Sequence, residues 1–275
     1  MMRYRLSFYD LKTGQLQPIF VTEKLIEAPN WHPDGTLIVN GDGTLFRIDP
    51  KHPSLTPIPI EGLKDLNNDH GITPDGKTLI ISNSPQPMAS SIYTVSLAGG
   101  TPTPVTRTSP SWWHGISPDG TTIVYTARRN GVFDIFRCPI EGGEEQRLTE
   151  DFDHTDGPDY TADGAWIWFN GERQESMDLW RMRPDGTDLQ RMTDSPSVDW
   201  FPHPSPDGQH VLYLAYEAGT EGHPRDRDVE LRLLDAETGD ETCLVSLFGG
   251  QGTINVPCWA PSGDRFAFVD VLKDG

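Results

Sequence analysis

One short run returns along the whole chain. It reads His32-Pro33-Asp34-Gly35, Thr73-Pro74-Asp75-Gly76, Ser117-Pro118-Asp119-Gly120, Thr161-Ala162-Asp163-Gly164, Ser205-Pro206-Asp207-Gly208 and, degenerate, Ala260-Pro261-Ser262-Gly263. A fixed period of about 40–45 residues marks a repeat architecture, in which each unit buries its apolar surface only against its neighbours. The period settles the fold before it says anything about function, because one such scaffold hosts unrelated activities.

Each unit reads as four strands. An apolar or aromatic residue stands three positions before the Asp: Trp31, Ile72, Ile116, Tyr160 and, before Ser262, Trp259. A β-branched and aromatic run follows the turn, as in Thr78-Leu79-Ile80-Ile81, Trp166-Ile167-Trp168-Phe169 and Val211-Leu212-Tyr213-Leu214. A third, alternating strand comes next, as in Phe133-Asp134-Ile135-Phe136-Arg137, then a turn such as Gly142-Gly143 or Asp185-Gly186. The fourth strand is brief, as in Arg147-Leu148-Thr149. Four antiparallel strands per repeat make a propeller blade. The last unit lacks its outer two strands, and Tyr4–Asp10 with Gln17–Phe20 supply them. The expectation is an all-β, six-bladed β-propeller occupying residues 1–275 as one domain, its ring closed by the N-terminal strands.

These features resemble the TolB-like, WD-type propeller family over essentially the whole chain. The Ser-Pro-Asp-Gly turns and the Leu148-Thr149 and Met192-Thr193 ends carry the resemblance. It implies six blades, with ligands or partners engaged at one face of the central channel. TolB itself carries a further N-terminal domain and is exported to the periplasm. This chain begins inside a blade, so the expectation is against a Tol–Pal transport role. The run Trp200-Phe201-Pro202-His203-Pro204-Ser205-Pro206-Asp207-Gly208 is similar to a stretch of oligogalacturonate lyases, seven-bladed metal-dependent propellers that cleave uronate sugars.

A net charge of −19 argues against nucleic acid and membrane as partners, since both require a basic surface. Residues 1–20 carry Arg3, Arg5, Asp10 and Lys12 with no continuous apolar run, so no signal peptide is read there. Cys138, Cys243 and Cys258 have no metal-ligand spacing and are an odd number, so they read as buried fillers in a reducing compartment. Together these point to the cytoplasm.

In such a ring the loop entering each first strand shares a face with the loop joining the second and third strands. The Asp-Gly turns lie on the opposite face. Function should therefore sit five to nine positions before each repeat Asp. Five positions before, Pro is the rule, yet His70 and His114 replace it in adjacent units. Seven before come Glu27, Asn68, Trp112, Asp156, Trp200 and Asn255, with Asp69, Trp113, His154 and Asp199 beside them. The second-to-third loops add Glu172 and Arg173, and a long fifth-unit loop from Glu217 through Asp228 brings His223 and Arg225. That loop lengthens its interval to 55 residues against 44 earlier.

Three chemistries follow. His70, His114 and His154, neutral imidazoles near carboxylates, could hold a divalent ion such as Mn, Ca or Zn, or stand as hydrogen-bonded groups at a wet mouth. Asp156, Glu172 and Asp199 could include an acid–base pair for glycosidic chemistry, or be solvated loop charge. Trp112, Trp113 and Trp200 suit a sugar's C–H face, or pack between blades. Asp69, Arg173, His203, His223, Arg225 and Asn255 complete the ligand-contacting set. The Gly-rich run Phe248-Gly249-Gly250-Gln251-Gly252 could let backbone approach a ligand. The leading expectation is binding of a small polar ligand, a carbohydrate or sugar acid, at the channel mouth with metal-assisted lyase or hydrolase chemistry. The rival is a non-catalytic protein-interaction module.

Overall fold

The computed structural model describes residues 2–273. The chain forms a ring of six antiparallel sheets. Blade 1 runs from Glu27–Trp31 through Leu37–Gly41 and Thr44–Ile48 to Thr56–Pro57, and blade 2 from Leu66–Ile72 through Thr78–Asn83 and Ser91–Ser96 to Thr103–Pro104. Blade 3 comprises Ser111–Ile116, Thr122–Arg129, Val132–Pro139 and Gln146–Arg147; blade 4 comprises His154–Tyr160, Ile167–Arg173, Ser176–Met182 and Gln190–Arg191. Blade 5 is built from Val198–Pro204, His210–Tyr216, Arg225–Asp235 and Glu241–Gly250. Blade 6 joins Arg265–Leu272 to Arg3–Asp10 and Gln15–Thr22. Its innermost place is filled by an irregular segment that touches the sheet through a Trp259–Phe266 bridge.

The second strands explain why unbroken apolar runs fit a sheet whose side chains alternate. Each is buried on both faces, because a blade has a neighbour on either side. Leu37 and Val39 pack with Leu6, Phe8 and Val269 of blade 6, whereas Ile38 between them packs with Leu79 and Ile81 of blade 2. Ile167 and Phe169 face Val124 and Ile135 of blade 3, while Trp168 faces Val211 and Tyr213 of blade 5. Between blades 2 and 3, Trp113 lies flat over Gly71, where any Cβ would sit 1.8 Å from its ring.

The recurrent turn proves to be a hydrogen-bonded clasp. In blades 2 to 5 the Asp Oδ1 accepts the hydroxyl two residues earlier at 2.6–2.7 Å, as Ser117 Oγ to Asp119. It also accepts the amide two residues later, as from Thr121 at 3.0 Å. The Gly that follows takes φ of +69 to +75° in these blades, a conformation open to Gly at no steric cost. The Leu-Thr and Met-Thr ends are a second clasp: Thr106, Thr149 and Thr193 hydroxyls accept the amides of Ile92, Ile135 and Leu179 at 2.9–3.0 Å.

Ring closure is as expected, through a ladder from Arg3↔Leu272 to Asp10↔Arg265. Arg5 forks onto Asp270 with Nε–Oδ1 at 3.0 Å and Nη2–Oδ2 at 2.6 Å. Three expectations are corrected in blade 5. The long loop is shorter than its sequence suggested, because residues from Arg225 onward are already strand, and Phe248–Gly250 end the outer strand rather than forming a loop. Cys138 and Cys258 are buried, but Cys243 is exposed on that outer strand, at the rim where no further blade covers it.

Candidate functional site

The inner strands do not run straight to the mouth. Their pairing slips between Glu27 and Asn30, between Asp156 and Asp159, and between Trp200 and His203. At the slips Ala28, Gly157 and Phe201 take φ of +52, +59 and +54°. Each bulge re-aims the residue before it. Phe201 is the costly one, since a bulky side chain rarely adopts this region. Its amide is held by Asn170 Oδ1 at 3.1 Å, and its ring lies 5.2 Å from that of His223.

The bulge in blade 4 sets Asp156 at the centre of a cluster. Its Oδ1 accepts from His114 Nε2 at 3.0 Å, Thr126 Oγ1 at 2.7 Å and the Gly157 amide at 2.8 Å. His154 Nε2 and His223 Nε2 each stand 3.8 Å from its other oxygen. Aromatic rings wall the group: Phe133 stacks on His154 at 4.6 Å, and Trp200 lies 4.3 Å from His223 and edge-on to His154 at 5.7 Å. Three blades and the long fifth-blade loop thus converge on one carboxylate.

The electrostatics follow from burial and pairing. Burial alone would raise the Asp156 pKa, but the His114 imidazolium outweighs it and holds the carboxyl well below the usual range. His114 moves up reciprocally: burial opposes its charge, and Asp156 and Asp69 overcome that. Asp69 is pushed up to about 6 by burial, against the pull of His114. His223 is pushed down, chiefly by burial. Below this layer His203 bridges Asp159, at 3.0 Å, and the Ile254 carbonyl, at 2.6 Å.

A second buried charge links blade 1 to blade 5 across the end of blade 6. Glu27 accepts from Arg225 Nη2 at 2.9 Å, and burial, opposed by Arg225 and Asn40, raises its pKa to about 7. A carboxyl with a higher pKa folded than unfolded binds its proton more tightly when folded. That contribution is complete below about pH 4.5 and lost as pH rises through about 7. Wild-type protein should therefore lose about 2–3 kcal/mol between pH 5 and 8 that Glu27→Gln does not lose. Urea unfolding of both proteins at the two pH values measures this; parallel losses would refute it.

The residues singled out in sequence divide as follows. His114, His154, His223, Asp156 and Trp200 come together. Asp69 adjoins them through His114, and the His114 ring also meets the backbone of Asn255. The Asn255 Oδ1 accepts the Gly252 amide at 2.6 Å. His70 does not join: it is buried beside Ile38 of blade 1, and burial lowers its pKa to about 4. Trp113 is core, and Trp112 is half-buried against Phe133 at 5.8 Å. Asp199 alternates away from Trp200 and accepts from Ser197 at 2.7 Å. Arg173 stacks on Phe152 at 3.8 Å and donates to the Asp151 and Glu150 carbonyls. His203 is spent on Asp159, and Arg225 on Glu27. The Gly-rich run approaches Glu27, whose Oε1 a Cβ at Gly252 would meet at 2.3 Å. Glu172 lines a cleft of ≈570 Å³ beside the cluster, shared with His154, Trp200 and Gly219–Gly222. Among the described residues no group of three or more His, Cys, Asp or Glu is arranged to hold a metal ion.

Thr126, Phe133 and Phe201 belong to the cluster without having been singled out. Phe133 lies near the start of a third strand and Thr126 within a second, positions that the repeat alignment at the Asp does not compare.

The model of the TolB β-propeller domain matches residues 59–263. The chain belongs to that family. It is 44% identical to an uncharacterized protein of Agrobacterium fabrum over 98% of this chain and 92% of that one. A solved structure of a TolB candidate from Agrobacterium tumefaciens superposes with a TM-score of 0.96 at 43% identity, covering 100% of each chain. TolB from Acinetobacter baumannii superposes at 0.71 with 18% identity, over 90% of this chain and 64% of that one. An oligogalacturonate lyase solved in complex with manganese shares the fold at 15% identity and a TM-score of 0.56, over 89% of this chain and 67% of that one.

Proposed function

We propose that this TolB-family propeller binds a small, hydroxyl-rich ligand of the sugar or sugar-acid class in the cleft between blades 4 and 5. One observation carries the reading: the imidazoles around Asp156 keep nitrogens that no protein group uses. His154 Nε2, His223 Nδ1 and the Trp200 indole nitrogen are buried without a hydrogen-bond partner. Buried polar atoms are almost always paired in folded proteins, so open ones gathered at a cleft await a partner. Asp156 orients the imidazoles, Trp200 offers a ring face, and half-buried Glu172 is the group placed to move a proton. Arg225 is assigned to the fold rather than the ligand. A divalent ion would need a rearrangement of His154 and His223, so the ligand reading runs through the imidazoles themselves.

Family membership supports a second reading, in which the mouth seats a side chain of a protein partner. Calorimetric titration with neutral and uronate oligosaccharides separates the two. Binding should weaken by about 1.5–3 kcal/mol in His154→Ala/His223→Ala, the range for hydrogen bonds to charged groups. Absence of binding across the panel would overturn the small-ligand reading in favour of the partner.

A further inference from the structure

The outer strands of blades 1 to 4 are each two residues long, Thr56–Pro57, Thr103–Pro104, Gln146–Arg147 and Gln190–Arg191. That of blade 5, Glu241–Gly250, is ten residues long. It pairs on one side only, with Arg225–Asp235, and no strand flanks its other edge among the described residues. Natural sheets blunt such edges with Pro, Lys or short length. The outer strand of blade 6 is long too but carries Pro18. The blade 5 edge, Glu-Thr-Cys-Leu-Val-Ser-Leu-Phe-Gly-Gly, has neither Pro nor Lys. Two bulges interrupt its pairing, between Arg225 and Arg227 and between Leu231 and Arg232.

Beside this edge lies a groove of ≈690 Å³, apolar at Tyr216, Val229 and Phe248 and acidic at Glu217, Asp228 and Glu230. Its one arginine, Arg232, is held by Glu230 at 2.7 Å and Glu241 at 3.5 Å. The chain's own Lys273 shows what the surface accepts: its Nζ lies 3.4 Å from the centre of the Phe248 ring and 3.9 Å from Asp228. A second copy is disfavoured as occupant, since each chain carries a charge of −19.

We propose that the blade 5 edge docks a basic, extended segment of a partner protein, which adds a strand to Glu241–Gly250 and sets its Lys or Arg side chains against Phe248 and Asp228. Backbone hydrogen bonds supply affinity in this mode, and alternate side chains supply specificity. The site is separate from the Asp156 cluster and does not rest on its ligand.

The probe is a fluorescein-labelled (Lys-Val)5 peptide, with (Glu-Val)5 and an alternately N-methylated (Lys-Val)5 as controls, read by polarisation. The basic peptide should bind, and both controls should fail. Asp228→Asn/Phe248→Ala should weaken it about tenfold, as expected for losing a cation–π contact and its counter-charge. Hydrogen exchange should show new protection at residues 241–248. Failure to bind, equal binding of the N-methylated peptide, an unchanged affinity in the double variant, or protection at residues 154–157 instead would each overturn the proposal. So would sedimentation showing a dimer lost in the same variant.

Discussion

Removal of residues 1–21 is expected to abolish cooperative folding. The segment supplies the two outer strands of blade 6, and with them Leu6 and Phe8, which are buried between blades 6 and 1. It also leaves Asp270, only 6% exposed, without the Arg5 fork. Truncating one large buried side chain costs about 2–5 kcal/mol, and a whole domain is stable by only about 5–15 kcal/mol. Losing a ladder of this length and its side chains exceeds that margin. Leu6→Ala is the graded version: about 3 kcal/mol, or a fall in melting temperature on the order of 5–10 °C. Circular dichroism melts test both. A truncated protein that unfolds at the wild-type temperature would show that the ring does not need its closing strands.

The second large effect belongs to Asp156. Asp156→Ala removes the charge that favours protonated His114 against its burial, and strips His114, Thr126 and the Gly157 amide of their acceptor. Breaking a buried ion pair in this one-sided way costs about 3–5 kcal/mol. Part of that cost is the buried His114 imidazole left without its acceptor, so Asp156→Ala/His114→Ala should recover some of it, and the double-mutant cycle should show a coupling of about 1–3 kcal/mol. Because the Asp156 pKa is lower folded than unfolded, its contribution is present above the unfolded carboxyl range and lost as pH falls through the lower folded value. The penalty of the single variant should therefore be larger at pH 7 than at pH 3. Equal stability of wild type and Asp156→Ala at pH 7 would mean that the cluster contributes nothing to the fold.

Blade number and ring closure were legible in the sequence because they rest on local chemistry that recurs from blade to blade. An Asp-Gly clasp, a doubly buried strand and a Thr end each carry a residue signature. The mouth was partly legible. Aligning the repeats brought Asp156, Trp200 and His154 to the mouth, but it placed His70 with His114 because both replace the same Pro. The inner strands of blades 2 and 3 slip at different points, after Leu66 and after Trp113, so equal position does not give equal direction. Phe201 in a left-handed bulge leaves no residue-type signal at all. Nor did composition reveal that each arginine near the mouth is already engaged by Glu145, Glu27, an aromatic ring or a carbonyl.

The Arg5–Asp270 fork joins residues 265 positions apart in the chain. During synthesis the strand Arg3–Asp10 leaves the ribosome well before its partner Arg265–Leu272. At about 5–20 residues per second the early strand waits roughly 13–50 s for its ladder. Through that interval an apolar, strand-forming segment stands unpaired at the front of a nearly complete ring. The ring is thus most exposed to aggregation when almost all of it has been made, and holding the segment containing Leu6 and Phe8 apart from other chains is the task its biogenesis sets for a chaperone.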